Sequence, residues 1–416
     1  MRKQIEGSQA IAAAVQCCRP EVISCYPITP QTHIVETLSA KVKSGELENC
    51  EFINVESEFA ALSVLIGASA AGARTYTATA SQGLLYMAEA VYNASGMGFP
   101  IVMTIGNRAI GAPINIWNDH SDSMSMRDAG WVQLYAESNQ EAVDLHIQAF
   151  RLAESLSLPV MVCVDGFVLT HAFEPVEIPS QAQVDSFLPS FDPVQVLDPE
   201  NPISMGTMVG PNAFFEVRYL HHEKHLRALE RIPTIAREFE KTFGRKAAGL
   251  AEGYFHEDAE TIFVALGSMN GTIKDFVDLR RARGEKVGCI KLVSYRPFPS
   301  EVVRSLADSA QRVICVEKHL APGTCGVVAS EVRHALQHSG KQVQAVIGGI
   351  GGRPISLAAL DGLWAERNRL DEPHFLGLNW EVIGSVLENQ KKIRRSGPVA
   401  ESVVKTVAEK GGFHGI

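Results

Sequence analysis

Cysteine pairs with C-x-x-C spacing are missing from this chain. Its eight (Cys17, Cys18, Cys25, Cys50, Cys163, Cys289, Cys315 and Cys325) include no C-x-x-C pair, which excludes an iron–sulfur cluster held by closely spaced ligands of this polypeptide. Their scattered, apolar contexts read as reduced core thiols. No apolar run approaches the roughly 20 residues of a spanning helix, and the N-terminal MRKQIEGSQAIAAAVQCC has no apolar core leading to a cleavage site. The expectation is a cytoplasmic protein without a membrane partner. Aromatic residues make up only 7%, the net charge of −9 is spread along the chain, and no basic stripe interleaves with aromatics, so nucleic acid is not an expected partner. The glycine-rich GSMNG (267–271) and GGIGGR (348–353) complete neither a phosphate loop nor a dinucleotide fingerprint. They read as tight turns, candidates for an interface. The LHHEKH run (220–225) sits among long charged neighbours and reads as a solvated helix face, so no metal site is expected.

What is present is a chain of 416 residues, 46% hydrophobic and 20% charged, enough for two or three packed domains. Apolar runs such as VISCYPIT, EFINVES, RTYTATAS, PIVMTIGN and PVMVCVDG alternate with amphipathic segments. That rhythm is βαβ winding around a parallel sheet, whose strands are apolar throughout because helices cover both faces. Proline-rich text from about Phe173 to Pro211 predicts few regular elements, and a charged helix follows over about Val217–Lys246. Strand–helix alternation then resumes from Asp258 to Gly352, with VGCIKLVSY read as one strand. The expected fold class is α/β, in the order 1–175 α/β domain, 176–245 extended linker and helix, 246–360 smaller α/β domain, and 361–416 a partly helical segment for subunit contact. Its KKIRRSG stretch (391–397) reads as solvated or partner-bound.

Ligands on such sheets bind at the carboxyl ends of the strands, which directs attention to four strand-end loops. In CYPITPQT, Pro27 and Pro30 flank Thr29 and hold its hydroxyl in an extended loop; the same letters fit a cap for the helix that follows. In NVESEFAALSVLIGASAAGA, Glu58 enters a helix that is apolar almost all round. Burial there would favour its protonated, donor form, suited to a nitrogen heterocycle, although a first-turn glutamate also complements the helix dipole. Glu56, further from the loop, is the lesser candidate. Ser81 and Gln82 gather a hydroxyl, an amide and free N–H groups where RTYTATAS meets a helix, as a binding edge or as an ordinary serine cap. Arg108 ends PIVMTIGN and opens an uncharged loop that closes with Asp119, His120 and Asp122; its planar fork suits a substrate carboxylate or a structural ion pair with Asp119 or Asp122.

Taken together, YPITPQT, VESEFAALSVLIGASAAGARTYTATASQGL, GNRAIGAPINIW, DHSDS, RDAGW, AESNQEA, EVRY, FGRKAAGLAEGY, EDAETIFVALGSMNGTIKD, KVGCIKLVSYRPFP and GGIGGR resemble the alpha subunit, or first domains, of pyruvate:ferredoxin oxidoreductase and its relatives. The likeness spans nearly the whole chain. It implies a thiamine diphosphate pyrimidine-binding module followed by a smaller domain like the transketolase C-terminal one. It further implies that Glu58 bonds the aminopyrimidine ring of the coenzyme, promoting the imino tautomer that generates the ylid. By the same likeness Arg108 and Thr29 hold the carboxylate and 2-oxo group of a 2-oxoacid, with Ser81 and Gln82 beside the coenzyme. Members of the family bind the diphosphate and Mg2+ through a G-D-G-type motif, absent here, in another domain or subunit. The implied complex therefore adds a beta subunit for the diphosphate, gamma and ferredoxin-like delta subunits with the iron–sulfur clusters, and coenzyme A as acyl acceptor.

One departure bears on substrate. Pyruvate-using relatives commonly read N-R-A-L-S-A-P, whereas this chain reads NRAIGAP, placing Ile110 and Gly111 beside Arg108. The expectation drawn is a roomier pocket for a bulkier oxoacid such as phenylglyoxylate, with NAD reached through a flavin subunit as a further option for the acceptor. A transketolase-like transferase and a non-catalytic scaffold subunit are the competing readings.

Overall fold

Apolar residues crowd the two runs Val102–Asn107 and Val160–Asp165, and every residue of both is buried at the middle of a seven-stranded sheet. This is a computed structural model, and it describes residues 2–370, 372–392 and 399–409. The strands of the first part are β1 (Arg2–Glu6), β2 (Val22–Cys25), β3 (Glu51–Asn54), β4 (Thr75–Thr79), β5 (Val102–Asn107), β6 (Val132–Tyr135), β7 (Val160–Asp165) and β8 (Phe173–Glu177). The second part contributes β9 (Ala251–Tyr254), β10 (Thr261–Leu266), β11 (Val287–Leu292), β12 (Ser294–Arg296), β13 (Arg312–Glu317) and β14 (Gln342–Ile347). The large sheet runs β12-β6-β7-β5-β4-β2-β3, parallel except for β12. Its central register aligns Val102 with Val160 and Asn107 with Asp165, so both strands end at one level. The carboxyl ends of β2, β4, β5 and β7 therefore face the same side. Helices cover both faces, as expected of strands without alternation.

A second sheet runs β14-β13-β10-β11-β9, parallel apart from β9, and β1 pairs with β8 as a separate antiparallel ribbon. The chain is thus α/β, as its patterning predicts. Two details differ from the sequence reading. VGCIKLVSY is two strands: β11 joins the second sheet, while β12 pairs antiparallel with β6 of the first. The run after Ala80, read as one helix, breaks at Met87 into Ser81–Tyr86 and Ala88–Met97. The helix Phe214–Phe243 buries Ala228, Ile232, Ile235, Phe239 and Phe243 and ends at Gly244, whose φ of 70° spares a side chain the left-handed penalty. Both sheets lie in one compact unit that extends to His374.

The residues from Phe375 onward form a second unit with helices over Trp380–Lys392 and Val399–Glu409. Residues 393–397 of the KKIRRSG stretch lie outside the described residues. Among the described residues no helix is long and apolar enough to cross a membrane, and all eight cysteines are free, five of them buried.

The two sheets are tied by charge. Lys291 of β11, 5% exposed, reaches Glu141 at 2.7 Å and Glu137 at 3.2 Å, at the start of the helix Asn139–Leu156, and Glu252 of β9 at 2.8 Å. Burial alone would push its ammonium down, but Glu141, Glu252 and Glu137 together hold it above the ordinary lysine value. Its contribution is therefore complete below the unfolded lysine value of about 10.4 and fades only at more alkaline pH. Lys291→Met should lower the unfolding free energy at pH 7 by about 3–5 kcal/mol in a denaturant titration, because buried Glu141 loses its counter-charge and Glu137 and Glu252 are left with Lys274 and Lys246 alone. The deficit should shrink as pH falls and the carboxylates take up protons.

Candidate active site

Burying a carboxylate is tolerated only when donors surround it, and Asp122 shows how that requirement organises the strand ends. Its Oδ2 accepts from the backbone N–H of Ser81, after β4, at 2.9 Å and of Arg108, after β5, at 3.0 Å. Its Oδ1 accepts from Asn107 Nδ2 and from the Ser123 N–H, both at 2.8 Å. Burial outweighs these donors and pushes the carboxyl up to about 6. The folded state thus binds this proton more readily than the unfolded chain, so between about pH 4 and 6 this group's contribution to stability declines as pH rises. Ser81 adopts φ 48°, a left-handed conformation uncommon for serine, and is pinned there by Asp122 and by its own hydroxyl donating to the Ala109 carbonyl at 2.5 Å. It does not cap its helix: the N-cap is Ala80, without a side-chain cap.

The candidate residues then take definite places. Glu58 is the first residue of the helix Glu58–Ala70, whose N-cap Ser57 accepts from the Ala60 N–H. It is 7% exposed, and among the described residues its carboxyl makes no hydrogen bond or ion pair. A Cβ at Gly83 would lie 2.6 Å from both Glu58 Oε1 and Thr79 Oγ1, so the carboxyl leans against the turn after β4, beside a buried Thr79 hydroxyl that also lacks a partner. Glu56 is exposed.

Arg108 is 6% exposed. Its Nη1 donates to the Thr29 carbonyl at 3.0 Å and its Nε to the Asn115 carbonyl at 3.1 Å. Neither neighbour is a carboxylate, so the expected alternative, an ion pair with Asp119 or Asp122, does not form; Asp122 meets only its backbone. Nη2 has no partner among the described residues, and burial draws the guanidinium below the ordinary arginine value, with Asp122 opposing. Thr29 contributes its carbonyl, its side chain being exposed; the helix after it is led by Gln31, with no side-chain cap. Gln82 accepts from the Ser81 hydroxyl, and a Cβ at Gly111 would stand 2.6 Å from Gln82 Nε2. The space that Gly111 leaves is taken by that amide. Ile110 is half-buried beside it.

Asp165 and Lys318 escaped the sequence reading, whereas His120 and the GSMNG and GGIGGR turns were named in it. Asp165, closing β7, bonds His120 Nε2 at 2.7 Å and Lys318 Nζ, just past β13, at 2.8 Å, and it accepts from the Ser268 N–H and hydroxyl. Burial would raise its carboxyl, but Lys318 and His120 hold it well below the usual range. GGIGGR is the other contact from the second sheet. The Gly351 N–H donates to Asp119 at 3.0 Å, its carbonyl accepts from Asn115 Nδ2 at 3.2 Å, and a Cβ at Gly352 would come within 2.4 Å of Trp117 Cβ. The signal available for Asp165 and Lys318 was a charge ending the apolar runs PVMVCVD and RVICVEK. LHHEKH is less solvated than expected: His222 is exposed, but His221 is half-buried with Nε2 at 3.3 Å from the Gly130 carbonyl, and burial pushes it down to about 4. A large surface concavity, lined by Glu260, Thr261, Arg312 and Gln342, sits at the amino ends of the second sheet's strands, away from these groups.

Asp122→Asn should turn an amide N–H2 toward one pair of backbone or side-chain donors, costing about 1–3 kcal/mol for each group left unpaired. The expected readout is a lower melting temperature together with faster hydrogen exchange at the Ser81 and Arg108 amides.

Comparisons with known proteins identify the family of the chain. Residues 13–241 match the family model described as pyruvate flavodoxin/ferredoxin oxidoreductase, thiamine diP-binding, and residues 259–360 match pyruvate:ferredoxin oxidoreductase core domain II. The chain is 46% identical to pyruvate synthase subunit PorA of Methanosarcina barkeri over 98% of its own length and 96% of that protein's. It is 38% identical to ketoisovalerate oxidoreductase subunit VorA of Pyrococcus abyssi, over 89% and 95% respectively. A solved 2-oxoglutarate:ferredoxin oxidoreductase from Magnetococcus marinus, with 2-oxoglutarate, coenzyme A and succinyl-CoA bound, shares the fold at a TM-score of 0.65 and 18% identity, covering 88% of this chain and 65% of that one. From the two family models, which together cover most of its length, and from these relatives, the chain belongs to the pyruvate flavodoxin/ferredoxin oxidoreductase family.

Proposed function

We propose that this chain is the alpha, pyrimidine-side subunit of a thiamine diphosphate-dependent 2-oxoacid:acceptor oxidoreductase, a cytoplasmic enzyme that converts a 2-oxoacid and coenzyme A to acyl-CoA and CO2. The observation that carries the reading is Glu58, a buried residue whose carboxyl has no partner among the described residues, at the strand-end face that also presents Nη2 of Arg108, likewise without a partner among them. A carboxyl largely removed from water gains from a polar partner, and a ring nitrogen of a bound coenzyme would supply one. Thiamine diphosphate, when bound, would supply a nucleophilic carbon. Glu58 holds the proton at the ring nitrogen, Arg108 takes the substrate carboxylate through its free fork, and Thr29 lines the oxo side. Ser81 and Gln82 shape the coenzyme edge, and Ile110 and Gly111 shape the substrate side. The functional division assigned is 1–175 for the pyrimidine side, 176–245 as linker, 246–360 as the supporting domain and 361–416 for subunit contact.

No G-D-G motif occurs in the sequence, so a beta subunit is assigned the diphosphate and its Mg2+. Gamma and ferredoxin-like delta subunits are assigned the iron–sulfur clusters that take the electrons. In the assembled complex Glu58→Gln should lower kcat roughly hundred- to ten-thousandfold while the complex stays intact; an unchanged kcat would return the chain to the role of a scaffold.

Pyruvate is the oxoacid we assign, supported by the pyruvate synthase names of the 46%-identical relatives and by Gln82 occupying the room beside Gly111. A panel of oxoacids on the purified complex should favour pyruvate in kcat/KM over phenylglyoxylate by at least roughly tenfold. The reverse order would restore the wider pocket read from Ile110 and Gly111.

A further inference from the structure

Three side chains far apart in the sequence meet beside the β1–β8 ribbon. Glu6 closes β1, His171 lies two residues before β8, and His33 stands in the first turn of the helix Thr32–Ser44. One potential ligand atom from each lies within 4.8 Å of those of the other two. The backbone fixes two of them in place. The Gly7 N–H donates to the Ala172 carbonyl at 3.0 Å, and the Ser8 N–H and hydroxyl donate to the Thr170 carbonyl at 2.9 and 2.8 Å. Gly7 has no room for a side chain, because a Cβ would sit 2.1 Å from the Leu169 carbonyl oxygen.

The chemistry of the cluster is unusual for a structural contact. Glu6 is 8% exposed and stands at the N-cap of the helix Gly7–Cys17, yet its carboxylate caps nothing. Its one ion-pair partner is His33 Nδ1, at 2.6 Å, and among the described residues no lysine or arginine pairs with any of the three. The His171 ring packs at 4.9 Å against His33 and 4.7 Å against Phe167, and its Nδ1 bonds the Thr170 hydroxyl at 2.8 Å. Burial and the neighbouring His33 keep His171 below the ordinary histidine value, with Glu6 opposing.

We propose that Glu6, His33 and His171 bind a divalent transition-metal ion of the zinc class. Two imidazoles and one carboxylate are the ligand types such a borderline cation takes, with a fourth position left to water. Bonds of about 2.0–2.2 Å put ligand atoms a little over 3 Å apart, so the His33–Glu6 pair must open from 2.6 Å while the His171 ring nitrogen draws in. His33, whose side chain is 47% exposed, has the freedom to supply that movement. The bound ion cross-links the ribbon to the helix that follows the Thr29 loop, and so steadies a wall of the strand-end face. This site does not depend on the coenzyme reading.

Its test uses the full chain, stripped with a chelator and titrated with Zn2+ in a calorimeter. One ion should bind with a dissociation constant on the order of micromolar or tighter. His33→Ala and His171→Ala should each weaken it at least roughly hundredfold and Glu6→Gln roughly tenfold, with far-ultraviolet circular dichroism unchanged. His222→Ala should bind like the unaltered chain. Zinc should also raise the melting temperature of the unaltered chain and leave that of His33→Ala where it was. Stoichiometric zinc that survives the His33→Ala/His171→Ala double substitution, or no binding at about 1 mM Zn2+, overturns the proposal.

Discussion

Asp122 is the fixed point of the site. A carboxylate with no access to solvent must find donors, and the nearest are backbone N–H groups freed where β4 and β5 run out of sheet. By taking the amides of Ser81 and Arg108 on one oxygen, it sets the separation between two strand-end loops to the width of a single atom's coordination. Asn107 and Ser123 fill the other oxygen, so the group has little freedom to rotate. The left-handed backbone of Ser81 follows from this anchoring, and so does the direction in which the Arg108 side chain leaves the sheet.

From that point the second sheet acts as a backing plate. Asp165 cannot hold its charge alone in the interior, and Lys318 and Ser268, both from loops of the second sheet, supply the compensation along with His120. The glycine turn at 349–352 comes close enough to Trp117 and Asn115 that side chains at Gly351 or Gly352 would collide with them. Asn115 in turn offers its carbonyl to Arg108 Nε. Arg108 is thus oriented by neutral carbonyls, which fix its plane without cancelling its charge, and Nη2 stays free to meet an anion.

Much of this was legible in advance, and the reasons are local. Continuous apolar runs can only be strands covered on both faces, which gave the parallel sheet and its carboxyl-end loops. Glu58 and Arg108 stood out because a charge at the end of an apolar element needs an explanation. The Gly111 reading was incomplete for a different reason: a missing side chain creates room only if nothing else moves in, and Gln82, from another loop, does. VGCIKLVSY was read as one strand because nothing in its letters says that its last residues pair with the other sheet. The half-burial of His221 against Gly130 likewise depends on a neighbour 91 residues away.

Sequence alone determined the α/β class and the strand-end loops, since periodicity and proline placement express short-range physics, and it offered Glu58 and Arg108 as candidates that the family resemblance then favoured. Tertiary structure decided which donors surround Asp122, whether Arg108 meets carbonyls or carboxylates, what fills the space at Gly111, and that Glu6, His33 and His171 share one corner. Those outcomes turn on distances between segments tens to hundreds of residues apart, which follow only from the packing of the sheets.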